Sequence, residues 1–278
     1  MEQIWYKPTC APPPGMDRLR VAIARIERGA APASPPCLPF GLPVLDAALP
    51  GGGLSAGALH EVMGTGPDLQ HAAAAARFAA GILARLRGPV LWVLERADLF
   101  APGLAGAGLH PDRVIYARAG RDGLLAMEEG LRHHGLAGVV VELSGPLSLT
   151  ASRRLQLAAE ASGVMALVLR RPWQAGFARA GGRDGSVRAS ERDGAGRDGE
   201  APAGATAAAT RWQVSAQPSP PVLPHAPDVP GLGRVRWRLD LLRCRGGRMG
   251  SWDVEACDAQ GRLGLVPALA DRPAAAVA

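Results

Sequence analysis

Residues 38–77, LPFGLPVLDAALPGGGLSAGALHEVMGTGPDLQHAAAAAR, decide how the rest of the chain is read. The order within them is an extended segment (FGLPVLDAAL), a glycine bend (PGGGL) and a short apolar strand over 58–63. A tight Gly-containing turn then leads into an alanine-rich helix. A turn so placed, between a strand and a helix, cradles phosphate when it reads GxxxxGK[ST]. Backbone N–H groups hold the phosphates, the Lys reaches the β/γ oxygens, and the Ser/Thr hydroxyl holds Mg²⁺. Here, counted from Gly64 through Thr65, Gly66 and Asp68, Leu69 falls at the second glycine, and Gln70 and His71 take the Lys and Ser/Thr places.

The frame is thus present without its chemistry. Lys7 is the only lysine of the chain, and it lies far upstream. A leucine in place of the second glycine blocks close approach of backbone to a phosphate. Asp68 brings negative charge to a helix N-terminus otherwise suited to an anion, where it also serves as a first-turn or capping residue. No bound cofactor is expected.

Outward from this turn the pattern alternates. A helix is predicted over 70–87, rich in Ala and intrinsically stable. An apolar strand follows at 89–94 (PVLWVL), ending at Glu95, with Arg96 and Asp98 beyond. Further strands are predicted at 114–117, 138–143 (GVVVEL, with Glu142) and 164–169 (VMALVL), and helices at 122–135, capped by Asp122, and at 150–162. Continuous apolar strands alternating with helices argue an α/β fold, a mainly parallel β-sheet flanked by helices.

Upstream, residues 1–15 are irregular and Pro-rich. Leu19, Ala22, Ile23 and Ile26 recur at helical spacing within 16–28, an amphipathic helix before a stiff linker at 30–37. Downstream, 174–231 is a Gly/Arg/Asp/Ala and then Pro-rich tract expected to be mostly disordered, with TRWQVSA at 210–216 resembling a strand. Its acidic residues match its arginines almost one for one, as in a solvated tether. From Arg234 two alternating strands, RVRWRLDLLRC and SWDVEAC, predict a β-hairpin. Val235, Trp237, Leu239 and Leu241 face one way; Arg234, Arg236, Arg238 and Asp240 face the other. That polar face extends the sheet with a solvated Arg surface or offers a positive edge to DNA or a protein. The resulting division is 1–37 (helix and linker), 38–173 (core), 174–231 (low complexity) and 232–278 (hairpin and tail).

The chain has 278 residues, is 47% hydrophobic, carries a formal net charge of +6, and contains 36 Gly and 25 Pro. That suffices for a real core beside long irregular segments. Its basicity permits nucleic acid or an acidic partner without choosing between them. Cys10, Cys37, Cys244 and Cys257 form no CxxC, so neither a metal nor a redox site is implied. There is no run of about 18 apolar residues and no basic-then-apolar leader; a cytoplasmic protein is expected, with no membrane contact. His133 and His134 end a helix without a metal set, and Ser144 lacks a GxSxG context.

Taken together, 38–171 resembles the RecA superfamily. Glu95 then stands near the place of the catalytic glutamate, and Glu142 where the Walker B aspartate would hold Mg²⁺. With the degenerate phosphate loop, the low-complexity insertion and the terminal hairpin with RCRGGR, the chain resembles the ImuA family of SOS mutagenesis cassettes. The resemblance implies a non-catalytic accessory factor in translesion synthesis after DNA damage. Its implied partners are ImuB and an error-prone C-family DNA polymerase, with RecA as a further contact and DNA contact weak or indirect. Two other functions remain open at this stage. One is a DNA-dependent ATPase in which Arg77, Arg85 or a neighbouring subunit's Arg replaces the Lys, a poor substitution at a tight turn. The other is a cell-division inhibitor, as an older family label suggests.

Overall fold

Runs such as GVVVEL and VMALVL can be buried on both faces only inside a sheet covered by helices, and the computed structural model places them there. It describes residues 36–65, 68–171, 204–221, 231 and 233–266. The expected helix at 16–28 and most of the low-complexity tract lie outside those residues.

A two-stranded antiparallel ribbon, β1 (Cys37–Leu38) with β2 (Leu54–Ser55), precedes the main sheet. Between them the FGLPVLDAAL segment, expected to be extended, contains a helical turn, α1 (Pro43–Asp46). Pro43 at its first position has a pre-set φ and no N–H to lose. The Asp46 carboxylate accepts from the Phe40 and Gly41 amides at 2.6 and 2.9 Å.

The main sheet comprises β3 (Leu59–Gly64), β4 (Val90–Leu94), β5 (Val114–Arg118), β6 (Gly138–Leu143), β7 (Met165–Arg170), β8 (Thr210–Gln217), β9 (Arg236–Cys244), β10 (Gly250–Glu255) and β11 (Gly264–Leu265). Their order is β11-β10-β9-β8-β3-β7-β6-β4-β5. From β5 to β8 neighbours run parallel; β9, β10 and β11 are added antiparallel. The strand expected at 210–216 therefore joins the first strand of the core to the C-terminal hairpin.

Alternation along the strands sends Val62, Trp92, Val140, Leu167, Trp212 and Leu239 to one face. There they meet α2 (Asp68–Ala84), with Phe78, Ile82 and Leu83 buried. The other face carries Leu59, Val93, Val139, Val141 and Val168 against α4 (Gly123–Leu131) and α5 (Leu149–Ser162); a short α3 (Pro102–Ala105) follows β4. On the α2 face Phe40, Phe78, Trp212 and Trp237 form a continuous aromatic cluster. Successive centroids are 5.5 Å (Phe40–Trp212), 5.7 Å (Phe78–Trp212) and 6.4 Å (Phe78–Trp237) apart, within the range of offset and edge contacts.

Three local expectations change. Asp122 makes no side-chain cap bond, because a 3-10 turn (Gly120–Asp122) runs directly into α4 and leaves Asp122 outside the extended conformation a cap requires. Val235 precedes β9 and is 41% exposed, while Trp237, Leu239 and Leu241 are buried as read. The hairpin's polar face is charge-balanced rather than basic. Arg234 meets Glu255 at 2.8 Å, and Arg238 meets Asp240 at 3.3 Å and Asp253 at 3.8 Å. Asp253, directly across the ladder from Arg238, and Glu255 come from β10, while Asp240 lies on β9 itself.

Candidate functional site

In an open parallel sheet, ligand chemistry gathers beyond the carboxyl ends of the strands. Gly64 closes β3, Thr65 follows it, and α2 opens at Asp68, so Asp68, Leu69, Gln70 and His71 form its first turn; Gly66 lies outside the described residues. Thr65 is turned toward β8. Its amide donates to the Val214 carbonyl at 3.2 Å and its hydroxyl meets Ser215 Oγ at 2.5 Å.

Glu95 follows β4 and Glu142 lies in its neighbour β6, so both stand at the carboxyl ends of adjacent strands. Glu95 Oε2 accepts the Ser144 amide at 2.6 Å, tying the exits of the two strands. Glu142 is buried, and each of its oxygens is engaged. Oε1 accepts from the Trp92 indole at 3.1 Å, and Oε2 from Arg171 Nη1 at 3.1 Å. The same guanidinium grips Asp98 at 2.8 and 2.9 Å, and Asp98 also meets Arg96 at 3.4 Å. Burial raises the Glu142 pKa, against the Trp92 hydrogen bond and the Arg171 charge; the Arg171 hydrogen bond lowers that of Asp98. A fixed organic cation thus stands on the carboxylate that the resemblance assigns to a metal.

Neither arginine considered as a lysine substitute is placed for that task. Arg77 begins about 14 Å along the helix axis from Asp68, and its guanidinium carbon lies 5.8 Å from the Trp237 ring centroid. Arg85, further on, lies 5.1 Å over Phe40 and donates to the Pro39 and Gly81 carbonyls. Both serve the aromatic core.

A second ionic unit was not anticipated from sequence. Glu61, fully buried in β3, accepts from Arg211 Nε at 3.1 Å, from Arg170 Nη1 at 3.4 Å and from the Thr206 hydroxyl at 2.5 Å. A charged residue inside an otherwise apolar strand was the available signal, since such groups are buried only when paired. Opposite it, His60 is held between Thr210 Oγ1 (2.8 Å) and the Ser55 carbonyl (2.9 Å). A carbonyl only accepts, so Nε2 carries the proton and Nδ1 accepts from Thr210. Burial lowers the His60 pKa to about 4. Among the described residues no three His, Cys, Asp or Glu side chains converge as a metal site, and no helix is long and apolar enough to cross a membrane. His134 Nδ1 meets the Ser162 carbonyl at 3.1 Å.

No family model matches the chain. Protein ImuA of Caulobacter vibrioides strain NA1000 / CB15N is 41% identical to it over 251 residues, covering 87% of this chain and 93% of that protein. Protein ImuA of strain ATCC 19089 / CB 15 matches to the same extent. Among solved structures, the crystal structure of the RadB recombinase aligns with a TM-score of 0.51 at 15% identity, covering 83% of this chain and all of that one. At that identity the likeness establishes the fold, a recombinase-type α/β sheet, as the strand–helix alternation predicts.

Proposed function

The chain belongs to the ImuA family, and from that premise we propose that it is a RecA-like adaptor without nucleotide chemistry, serving SOS-induced error-prone translesion synthesis. In this reading it bridges an ImuB-like protein and an error-prone C-family DNA polymerase, with RecA as a further contact, and acts in the cytoplasm. The single observation that carries the non-catalytic part is the Arg171–Glu142 contact. In a working site that carboxylate serves Mg²⁺. Here a guanidinium and an indole already hold one acceptor position on each oxygen, which supports a site not built for a metal–nucleotide pair. Gln70 and His71 supply neither the Lys charge nor the Mg²⁺-binding hydroxyl. The ion pairs of Arg234 and Arg238 with Glu255, Asp240 and Asp253 likewise support a weak or indirect contact of that face with DNA.

Calorimetric titration with Mg·ATP to millimolar concentration, alone and with single-stranded DNA, tests the reading. No saturable heat is expected from the folded protein. Saturable binding would make it a nucleotide-gated switch, and phosphate release an ATPase. Partner capture tests the adaptor part: removal of 16–28, or of the β9–β10 hairpin, should each cost one partner. Retention of every partner by both truncations would overturn that division.

A further inference from the structure

Beyond the ionic units at the strand ends, one surface carries charge that no carboxylate among the described residues neutralises. At the end of β8 nearest Gly204, Arg211 sits directly across the ladder from Arg243 of β9, at a bulge between Arg211 and Trp212. Like charges facing each other across an antiparallel pair are destabilising, and a bulge re-aims side chains. Arg211 resolves its half of the conflict by turning to Glu61. That one carboxylate also serves Arg170, so it cannot balance a third cation. Arg243 has only a carbonyl, that of Ala208 at 3.2 Å, and the Arg248 side chain has no hydrogen-bonding or ionic partner among the described residues.

These arginines line a groove of about 760 Å³ between Thr206, the end of β9 and the β9–β10 turn, and no carboxylate among the described residues lines it. Leu242 and Met249 share the lining, Met249 being 71% exposed. Basic heads beside exposed aliphatic and thioether groups match an acidic segment carrying apolar side chains. Met in particular adapts to varied apolar partners. Single-stranded nucleic acid fits less well, because among the described residues no aromatic side chain lines the groove to stack a base.

We propose that this groove is a docking site for a short acidic–apolar peptide segment of a partner protein. The proposal rests on the adaptor reading and specifies the chemistry of one of its contacts. Arg243 and Arg248 give the charge complementarity, Leu242 and Met249 the apolar contact, and the Glu61-anchored Arg211 a rigid floor.

The test uses the full chain and a fluorescein-labelled decapeptide of alternating Glu and Leu, read by fluorescence anisotropy. Saturable, salt-sensitive binding is expected, weakened about tenfold or more by Arg243→Glu with Arg248→Glu, and about threefold by Met249→Ser. The control is Arg118→Glu with Arg121→Glu, which removes the same charge at the opposite edge and should change affinity by less than about twofold. Both residues are exposed. Equal weakening by the two double variants would mean that net charge alone attracts the peptide, and would overturn the site, as would no binding at all. Displacement by an oligo-dT strand that binds more tightly, with the same sensitivity to Arg243 and Arg248, would assign the groove to nucleic acid instead. Should the double reversal perturb the fold by circular dichroism, Arg248→Ser alone carries the test. Intact partner capture with no peptide binding overturns only the groove; peptide binding with no partner capture overturns only the adaptor.

Discussion

Arg171 Nη1 lies 3.1 Å from Glu142 Oε2, and this contact closes the end of β6 as an ionic unit instead of leaving an open carboxylate. Removing one partner of a buried pair costs on the order of 3 kcal/mol, because the other charge stays buried. Asp98, 44% exposed at its side chain, adds little through its own pair. Arg171→Met should therefore destabilise the fold by about that amount at pH 7. Burial already raises the Glu142 pKa; without the guanidinium it rises further. A carboxyl with a raised folded pKa is least unfavourable when protonated, so the deficit should shrink as pH falls toward the ordinary carboxylate range. The Asp98 contribution, from a pKa lowered from 3.8, is present above that ordinary value and so is retained at both pH 7 and 4.5, leaving Glu142 to set the difference. Urea denaturation at pH 7 and 4.5 measures this; a gap independent of pH would sink it.

Glu61→Gln should be among the most damaging single changes. Gln keeps an acceptor for Thr206, but leaves Arg211 and Arg170 without a counter-charge where Arg211 is 6% exposed at its side chain. Loss of a buried ionic partner predicts about 3–5 kcal/mol. The readout is the denaturation midpoint, with the slope unchanged if the compact state survives. A shift worth less than about 1 kcal/mol would mean that water replaces the carboxylate.

Much of the fold was legible because its carrier is periodicity. β4, β6 and β7 were readable as unbroken apolar runs, and the missing Lys was readable from composition alone. What escaped depends on contacts distant in sequence. Arg171 meets Glu142 only because β7 and β6 are adjacent in the sheet. Arg113 closes the end of α2 by donating to the Ala84, Leu86 and Gly88 carbonyls at 3.0, 2.5 and 2.8 Å, a cap supplied from another element. The face of Arg236 and Arg238 looks basic along one strand; Asp253 and Glu255 stand opposite them across the ladder.

His60 predicts a specific acid sensitivity. Its pKa falls from 6.5 to about 4 because it is buried, so below pH 6.5 the unfolded chain binds a proton that the folded chain refuses. Stability from this residue is full above 6.5 and is lost as pH falls toward 4, on the order of 3 kcal/mol in all. His60→Asn, which cannot titrate, should lose stability less steeply over that window than the parent, whatever its cost at pH 7. Denaturant midpoints at pH 7, 6, 5 and 4.5 read the difference in slope. Parallel curves would mean that His60 charges inside the fold.

Gly81 sets helix preference against packing. In mid-helix, Gly→Ala normally stabilises by about 1 kcal/mol. A Cβ at Gly81, however, would meet Cys257 Sγ at 2.3 Å and Cys257 Cβ at 2.9 Å. Cys257 is buried in the same core cluster as Phe78 and Ile82 of α2, so moving it aside disturbs the C-terminal segment that carries it. Overpacking of this kind costs about 1–3 kcal/mol. Gly81→Ala should therefore destabilise by about 1–2 kcal/mol net. In a Cys257→Ala background, where the nearest obstructing atom is gone, the cost should drop by at least about half. Thermal denaturation of the four proteins in this cycle measures the coupling. Stabilisation by Gly81→Ala in the parent would show that the segment around Cys257 yields to the helix, and that helix preference wins at this contact.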